Sequence, residues 1–203
     1  EGLLGVITEV TAKILKKPQV VKAALIGFPT IEEGANATSE IISNGIIPAG
    51  MEIMDKALIE ATDNFSKAGY PRDAELLLIV EVDGTESEVD ILLKDVSSIC
   101  QKNNCSSLKL SQNERERLSF WSGRKSAFPA CGAMAPDYYC MDGVIPRGKL
   151  AEALLEIRRL SEKYNLPVAN CFHAGDGNLH PLIMYDGADK EQFRKTEEFG
   201  AEI

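Results

Sequence analysis

The sequence predicts an α+β domain of ferredoxin-like repeats, a mostly antiparallel sheet with helices packed on one face. Three observations lead there. Two β–α–β units succeed one another in the first half, and a β–α–β–β unit follows in the second. Residues 75–82 are nearly all apolar, the mark of a central strand. The 203 residues are 44% hydrophobic and 26% charged, an ordinary globular balance with enough apolar surface for a sizeable core.

Each element has its own local signal. Residues 7–15 are apolar-rich and strand-like, ending at Lys16-Lys17-Pro18. Residues 20–28 read as a strand broken by Pro29. Thr30 and Glu33 form a capping box that opens a helix to about Ser43, with Gly45 placed as a C-terminal cap. Residues 46–53 form a short extended stretch, and a helix runs on through Ala57 and Ile59. After the 75–82 strand, Asp83-Gly84 is a break, and Thr85 with Glu88 makes a second capping box for a helix to about Asn103. Residues 107–110 suit a short strand; residues 113–128 suit a helix stopped by Pro129. Residues 138–145 read as a strand. From Pro146 to Tyr164 the spacing of Leu150, Leu154, Ile157 and Leu160 is that of an amphipathic helix. Residues 166–173 and 179–185 are the last two strands.

Bulk properties exclude several functions. A net charge of −9 argues against a nucleic-acid partner, which needs a basic face. No apolar run approaches the roughly 18 residues that would predict a transmembrane helix. The opening Glu1-Gly2-Leu3-Leu4-Gly5 has no basic region and reads as the middle of a longer chain, as does the helical end at 197–203. The five cysteines contain no C-x-x-C pair, so neither a disulfide framework nor a cysteine zinc site is expected, and a cytoplasmic setting fits. Cys171 is expected to be plain core.

Three segments carry candidate chemistry. The chain's two histidines flank Asp176-Gly177, a strong hairpin signal. A two-residue turn there sets His173 directly opposite His180, with Cβ atoms about 5 Å apart. That pair suits Zn²⁺, Mn²⁺ or Fe²⁺, with a third ligand needed from elsewhere; the alternative is a plain hairpin. Trp121 and Arg124 share a helical face, and an arginine can grip a carboxylate in bidentate fashion. Gly2 and Gly5 bracket a tight turn before the 7–15 segment, without the spacing of a dinucleotide or phosphate loop. Arg147 is expected to be structural or solvated, and Asp142 has no evident partner.

With these segments in view, the chain resembles the C-terminal part of FAD-linked oxidases of the vanillyl-alcohol oxidase type, in the branch of glycolate oxidase D subunits and D-lactate and D-2-hydroxyglutarate dehydrogenases. Glu1-Gly2-Leu3-Leu4-Gly5-Val6-Ile7-Thr8-Glu9 is similar to the stretch that ends the family's FAD domain. Trp121-Ser122-Gly123-Arg124 resembles its W-x-x-R segment, and His173 to His180 its H-x-G-D-G-N-x-H motif. The resemblance implies residues 1–17 as the tail of an FAD-binding domain and 18–203 as a C-terminally truncated substrate domain. It implies FAD contacts at Gly2, Gly5 and Ile7, metal ligation by His173 and His180, a substrate-carboxylate clamp at Arg124, and Asn178 near flavin and substrate. The family's later E-H-G motif, source of a third ligand and a base, lies beyond Ile203.

Where relatives acting on 2-hydroxyglutarate carry a Thr and a Lys, this chain has Phe128 and Cys140. Glycolate or D-lactate is therefore the expected substrate. An electron-accepting subunit or carrier is the expected partner, and the fragment alone is expected to be inactive. The rival expectation is a non-catalytic ferredoxin-like module for ligand sensing or subunit contact.

Overall fold

The computed structural model describes residues 3–203. The elements run β1 (Val20–Phe28), α1 (Ile31–Ser43), β2 (Gly50–Asp55), α2 (Lys56–Ser66), β3 (Leu76–Gly84), α3 (Glu86–Lys102), β4 (Ser107–Leu110), α4 (Glu114–Lys125) and α5 (Ala127–Cys131). Then come β5 (Asp137–Cys140), β6 (Gly143–Val144), a 3-10 turn (Arg147–Lys149), α6 (Leu150–Tyr164), β7 (Val168–His173), β8 (Asn178–Tyr185) and α7 (Lys190–Glu202). The strands form one sheet in the order β4-β1-β3-β2-β7-β8-β5, with β6 also on β8, and every pairing is antiparallel. Its first four strands have the split β–α–β arrangement expected of a ferredoxin-like unit.

The antiparallel α+β class holds; the placement of the helices differs from the expectation of one covered face. Alternate residues of β1 enter two different cores. Ala24, Ile26 and Phe28 pack with Ile31 and Ile41 of α1, Val89 and Val96 of α3, and Leu154 and Ile157 of α6. Ala23 and Leu25 pack on the other side with Leu58 and Ile59 of α2, Phe120 of α4 and Cys131 of α5. The reason is visible in β3, where Leu76 to Val80 are all fully buried. A strand apolar on both faces needs a layer on each.

The capping expectations are met to different degrees. Thr85 and Glu88 form the full reciprocal box on α3. At α1, Thr30 accepts from the Glu33 backbone N–H, but the Glu33 carboxylate takes the Thr30 hydroxyl instead of the backbone. Gly45 follows the α1 cap Asn44 with φ of +80°, as a C-terminal glycine should.

Three local expectations are corrected. Residues 7–15 form no strand, and Ile7, Val10 and Leu15 are 84%, 75% and 88% exposed; an apolar pattern becomes a strand only beside a partner strand. The helix after Asn113 stops at Ser126, not at Pro129, which sits third in α5. In a first helical turn the missing proline N–H has no partner to lose. The stretch 138–145 is split into β5 and β6 at Met141-Asp142, opposite His180-Pro181 of β8.

Candidate active site

The hairpin β7–β8 is not closed by a two-residue turn. Its register pairs His173 with Asn178 and Cys171 with His180, leaving Ala174 to Gly177 as a four-residue loop. The backbone N–H groups of Asp176 and Gly177 both donate to the His173 carbonyl, and Asp176 Oδ1 accepts the Asn178 N–H at 3.1 Å. Gly177 is required: its φ is +79°, and a Cβ there would lie 2.4 Å from the Ile145 carbonyl oxygen. The corrected register makes the two histidines diagonal neighbours rather than direct partners. Diagonal side chains on one face remain within reach, and the rings stand edge to face with centroids 5.2 Å apart.

The same face carries Glu52, which β2 pairs with His173. Glu52 Oε1 lies 2.7 Å from His173 Nδ1, and Glu52 Oε2 accepts from Arg124 Nε at 3.0 Å. The Glu52 and Arg124 side chains are only 13% and 12% exposed. Arg124 is therefore linked to the histidine pair through a carboxylate that no motif in the sequence contains. Among the described residues its two terminal nitrogens have no hydrogen-bond partner.

Helix α4 is seated by contacts that explain the Trp-Ser-Gly-Arg segment. Trp121 Nε1 donates to Glu81 Oε2 at 2.6 Å, Arg117 pairs with the same oxygen at 2.6 Å, and the indole closes over Gly50. Gly123 lets Tyr70 approach, since a Cβ there would be 2.4 Å from the phenol ring. The Tyr70 hydroxyl accepts from the Arg124 backbone N–H at 2.9 Å, and burial pushes its pKa up to about 12. Glu52 and Glu81 had a signal in the sequence: each is a carboxylate flanked on both sides by apolar residues of its strand. Such a charge needs a cationic or hydrogen-bonding partner.

On β8, His180 Nδ1 lies 3.4 Å from the Met141 carbonyl oxygen and 3.9 Å from Asp142 Oδ1. Asn178 Nδ2 donates to Asp142 at 2.8 Å, which supplies the partner Asp142 lacked in sequence, while Asn178 Oδ1 is buried without one. A cleft of about 600 Å³ opens beside Glu52 and His173, lined also by Pro48, Met51, Arg147 and Asp176. Cys171 is fully buried, and burial pushes its thiol up to about 11, as befits core. Gly5 and Ile7 lie in the irregular exposed segment, away from these groups in sequence and unpacked; Gly2 lies outside the described residues. The donor set fits two positions of a divalent-metal site. Among the described residues no group of three His, Cys, Asp or Glu side chains is placed to hold an ion.

Residues 17–203 match the family described as FAD linked oxidases, C-terminal domain. The chain is 51% identical to the glycolate oxidase subunit GlcD of Escherichia coli K12 over 203 residues, all of this chain and 41% of that protein. It is 32% identical to the GlcD of Bacillus subtilis, again over 100% of this chain and 43% of that protein. It is 33% identical to a mitochondrial D-lactate dehydrogenase [cytochrome] of Arabidopsis thaliana, over 97% of this chain and 35% of that protein. It thus spans well under half the length of these relatives. The fold is shared with 4-ethylphenol oxidase from Gulosibacter chungangensis, at a TM-score of 0.66 and 14% identity, over 93% of this chain and 44% of that one. By its match over nearly the whole length and by these identities, the chain belongs to the family of FAD-linked oxidase C-terminal domains.

Proposed function

We propose that this chain is the substrate-side part of an FAD-dependent 2-hydroxy acid oxidoreductase that converts glycolate or D-lactate to the 2-oxo acid. The observation that carries the reading is the line Arg124–Glu52–His173, with His180 in contact with His173, on one sheet face beside an open cleft. Arg124 binds the substrate carboxylate through its two terminal nitrogens, a geometry suited to a two-oxygen anion. The His173 and His180 imidazoles would hold a divalent metal, Zn²⁺, Mn²⁺ or Fe²⁺, whose Lewis acidity would ease loss of the 2-hydroxyl proton. FAD would supply the redox chemistry, with most of its binding surface on residues preceding this chain. Gly5 and Ile7 lie in an exposed segment that offers it backbone groups, Gly2 beside them is the third proposed contact, and Asn178 Oδ1 offers an acceptor that has no partner among the described residues. Residues 1–17 are thus the end of an FAD-binding domain, and 18–203 the substrate domain.

The substrate carries one carboxylate. Phe128, which packs against Tyr138 with ring centroids 6.1 Å apart, and Cys140 stand where relatives acting on 2-hydroxyglutarate carry a Thr and a Lys. Electrons leave to a partner subunit or carrier. No helix among the described residues is long and apolar enough to cross a membrane, and a cytoplasmic enzyme suits five free thiols. A non-catalytic ligand-sensing module could also use the Arg124 cation, but it gives no task to the histidine pair beside it.

Steady-state kinetics of the full-length flavoenzyme test the reading. Loss of two charge-assisted hydrogen bonds costs about 2–4 kcal/mol, so Arg124→Ala should lower kcat/KM for glycolate or D-lactate roughly 30- to 1000-fold. An unchanged kcat/KM removes the clamp.

A further inference from the structure

Glu52 was invisible to the motif reading, and nothing in the resemblance assigns it a role. Its carboxylate is nonetheless the contact that joins the cationic segment to the histidine hairpin. We propose that Glu52 is the positioning residue of this site: it fixes His173 as the tautomer with hydrogen on Nδ1, which turns the bare Nε2 lone pair toward the ligand-binding space. The purpose assigned to that lone pair rests on the function proposed above; the tautomer itself does not.

The geometry makes the assignment. A carboxylate paired to a guanidinium only accepts hydrogen bonds. Its other oxygen lies 2.7 Å from His173 Nδ1, so that nitrogen must be the donor. In a neutral imidazole the remaining nitrogen is then an acceptor, able to ligate a cation. Glu52 is itself held from three directions. Arg124 Nε is at 3.0 Å on one oxygen, and the β2 ladder sets Glu52 opposite Ile79 of β3 on one side and His173 of β7 on the other. With the side chain 13% exposed, little water competes for its oxygens. His180 lacks such a close brace: its Nδ1 is 3.4 Å from the Met141 carbonyl oxygen and 3.9 Å from Asp142 Oδ1, a carboxylate 73% exposed to water. The two histidines are therefore unequal: His173 is oriented by a charge, His180 by a weak contact. Carboxylate–imidazole couples of this kind orient metal-binding histidines and raise their basicity.

The test uses the 203-residue chain, whose two histidines make the spectrum simple to assign. Long-range ¹H–¹⁵N correlation at about pH 8, where an ordinary imidazole is neutral, reports which nitrogen of His173 carries hydrogen. The expected wild-type result is hydrogen on Nδ1 of His173. Glu52→Ala should shift His173 toward the mixed tautomers of a free imidazole, and Glu52→Asp should retain part of the preference. Titration of the full-length protein with Zn²⁺ alone should show Kd weakened about 10- to 100-fold by Glu52→Ala. Hydrogen on Nε2 of wild-type His173 overturns the proposal, and needs no variant to fold. An unchanged tautomer in a folded Glu52→Ala also overturns it. A full-length protein with the Nδ1–H tautomer but no zinc binding removes the metal from the proposed function and leaves the Glu52 assignment standing.

Discussion

Strand β2 carries two carboxylates three residues apart, and they face opposite sides of the sheet. Glu52 looks toward α4 and meets a guanidinium and an imidazole. Asp55 looks toward α1 and α6, where it accepts from Asn170 Nδ2 at 2.7 Å and caps α2 by accepting the Leu58 N–H at 3.1 Å. Glu52 has a counter-charge in contact. Asp55 has only neutral donors, and burial pushes its carboxyl up to about 6. Asn170 Oδ1 beside it has no partner at all. The difference teaches how a fold spends its buried charges: one is balanced and faces an open cleft, the other is a structural cap held at a cost that varies with pH.

The largest expected effect follows from unbalancing the first carboxylate. Arg124→Ala leaves Glu52 buried without its cation, which should destabilise the chain by about 3–5 kcal/mol. Arg124→Ala with Glu52→Gln removes the stranded charge and should recover a substantial part of that loss. Urea unfolding of the wild type, both single variants and the double variant reads the coupling. If the double variant is as unstable as the sum of the singles, the two residues do not act as a pair.

The second carboxylate should show itself through pH. The folded Asp55 holds its proton to about 6, while the unfolded group releases it near 3.8. Between those values the native state binds more protons, so stability falls as pH rises. The contribution is complete below about pH 4 and is lost through pH 6, amounting to roughly 2–3 kcal/mol. Asp55→Asn keeps a side chain that caps helices well and carries no titrating group. The difference in unfolding free energy, wild type minus Asp55→Asn, should therefore decline across that window and stay level above it. A flat difference curve would show that Asp55 is not penalised by its burial, and the contrast with Glu52 would lose its physical basis.

Much of this was legible along the chain because local rules suffice for it. The strand at Val20–Phe28 and the body of β3 followed from continuous apolar runs, although β3 runs on through Asp83-Gly84, which pair with Val21 and Val20 instead of breaking it, and α6 followed from the spacing of Leu150, Leu154 and Ile157. What escaped depends on distance or on register. The contact of Glu52 with Arg124 spans 72 positions, and that with His173 spans 121. No motif window contains such a pair. The hairpin loop was misread because Asp-Gly favours a two-residue turn, while Gly177 here approaches the Ile145 carbonyl and the chain takes a wider loop. The histidines still meet, since a two-residue shift of register keeps both on one face. The continuous apolar β3 also implied covering layers on both sides, which the one-faced expectation overlooked.

The smallest effect sharpens the comparison at the two helix caps, where the same motif is realised differently. Thr85 on α3 has both halves of its box: the hydroxyl meets the Glu88 N–H, and the Glu88 carboxylate returns to the Thr85 N–H at 2.8 Å. Thr30 on α1 has one half, because Glu33 spends its carboxylate on the Thr30 hydroxyl and on Asn104. Replacing either threonine by alanine removes a side-chain acceptor from an orphan N–H, worth about 0.5–2 kcal/mol. The added effect of the glutamate should differ. Glu88→Ala strands the Thr85 N–H and should cost roughly as much as losing that single hydrogen bond, about 1 kcal/mol. Glu33→Ala strands no helix N–H, so it should cost less than half of that. Thermal unfolding of the two alanine variants ranks them directly, and equal losses would mean that the second half of the box contributes nothing here.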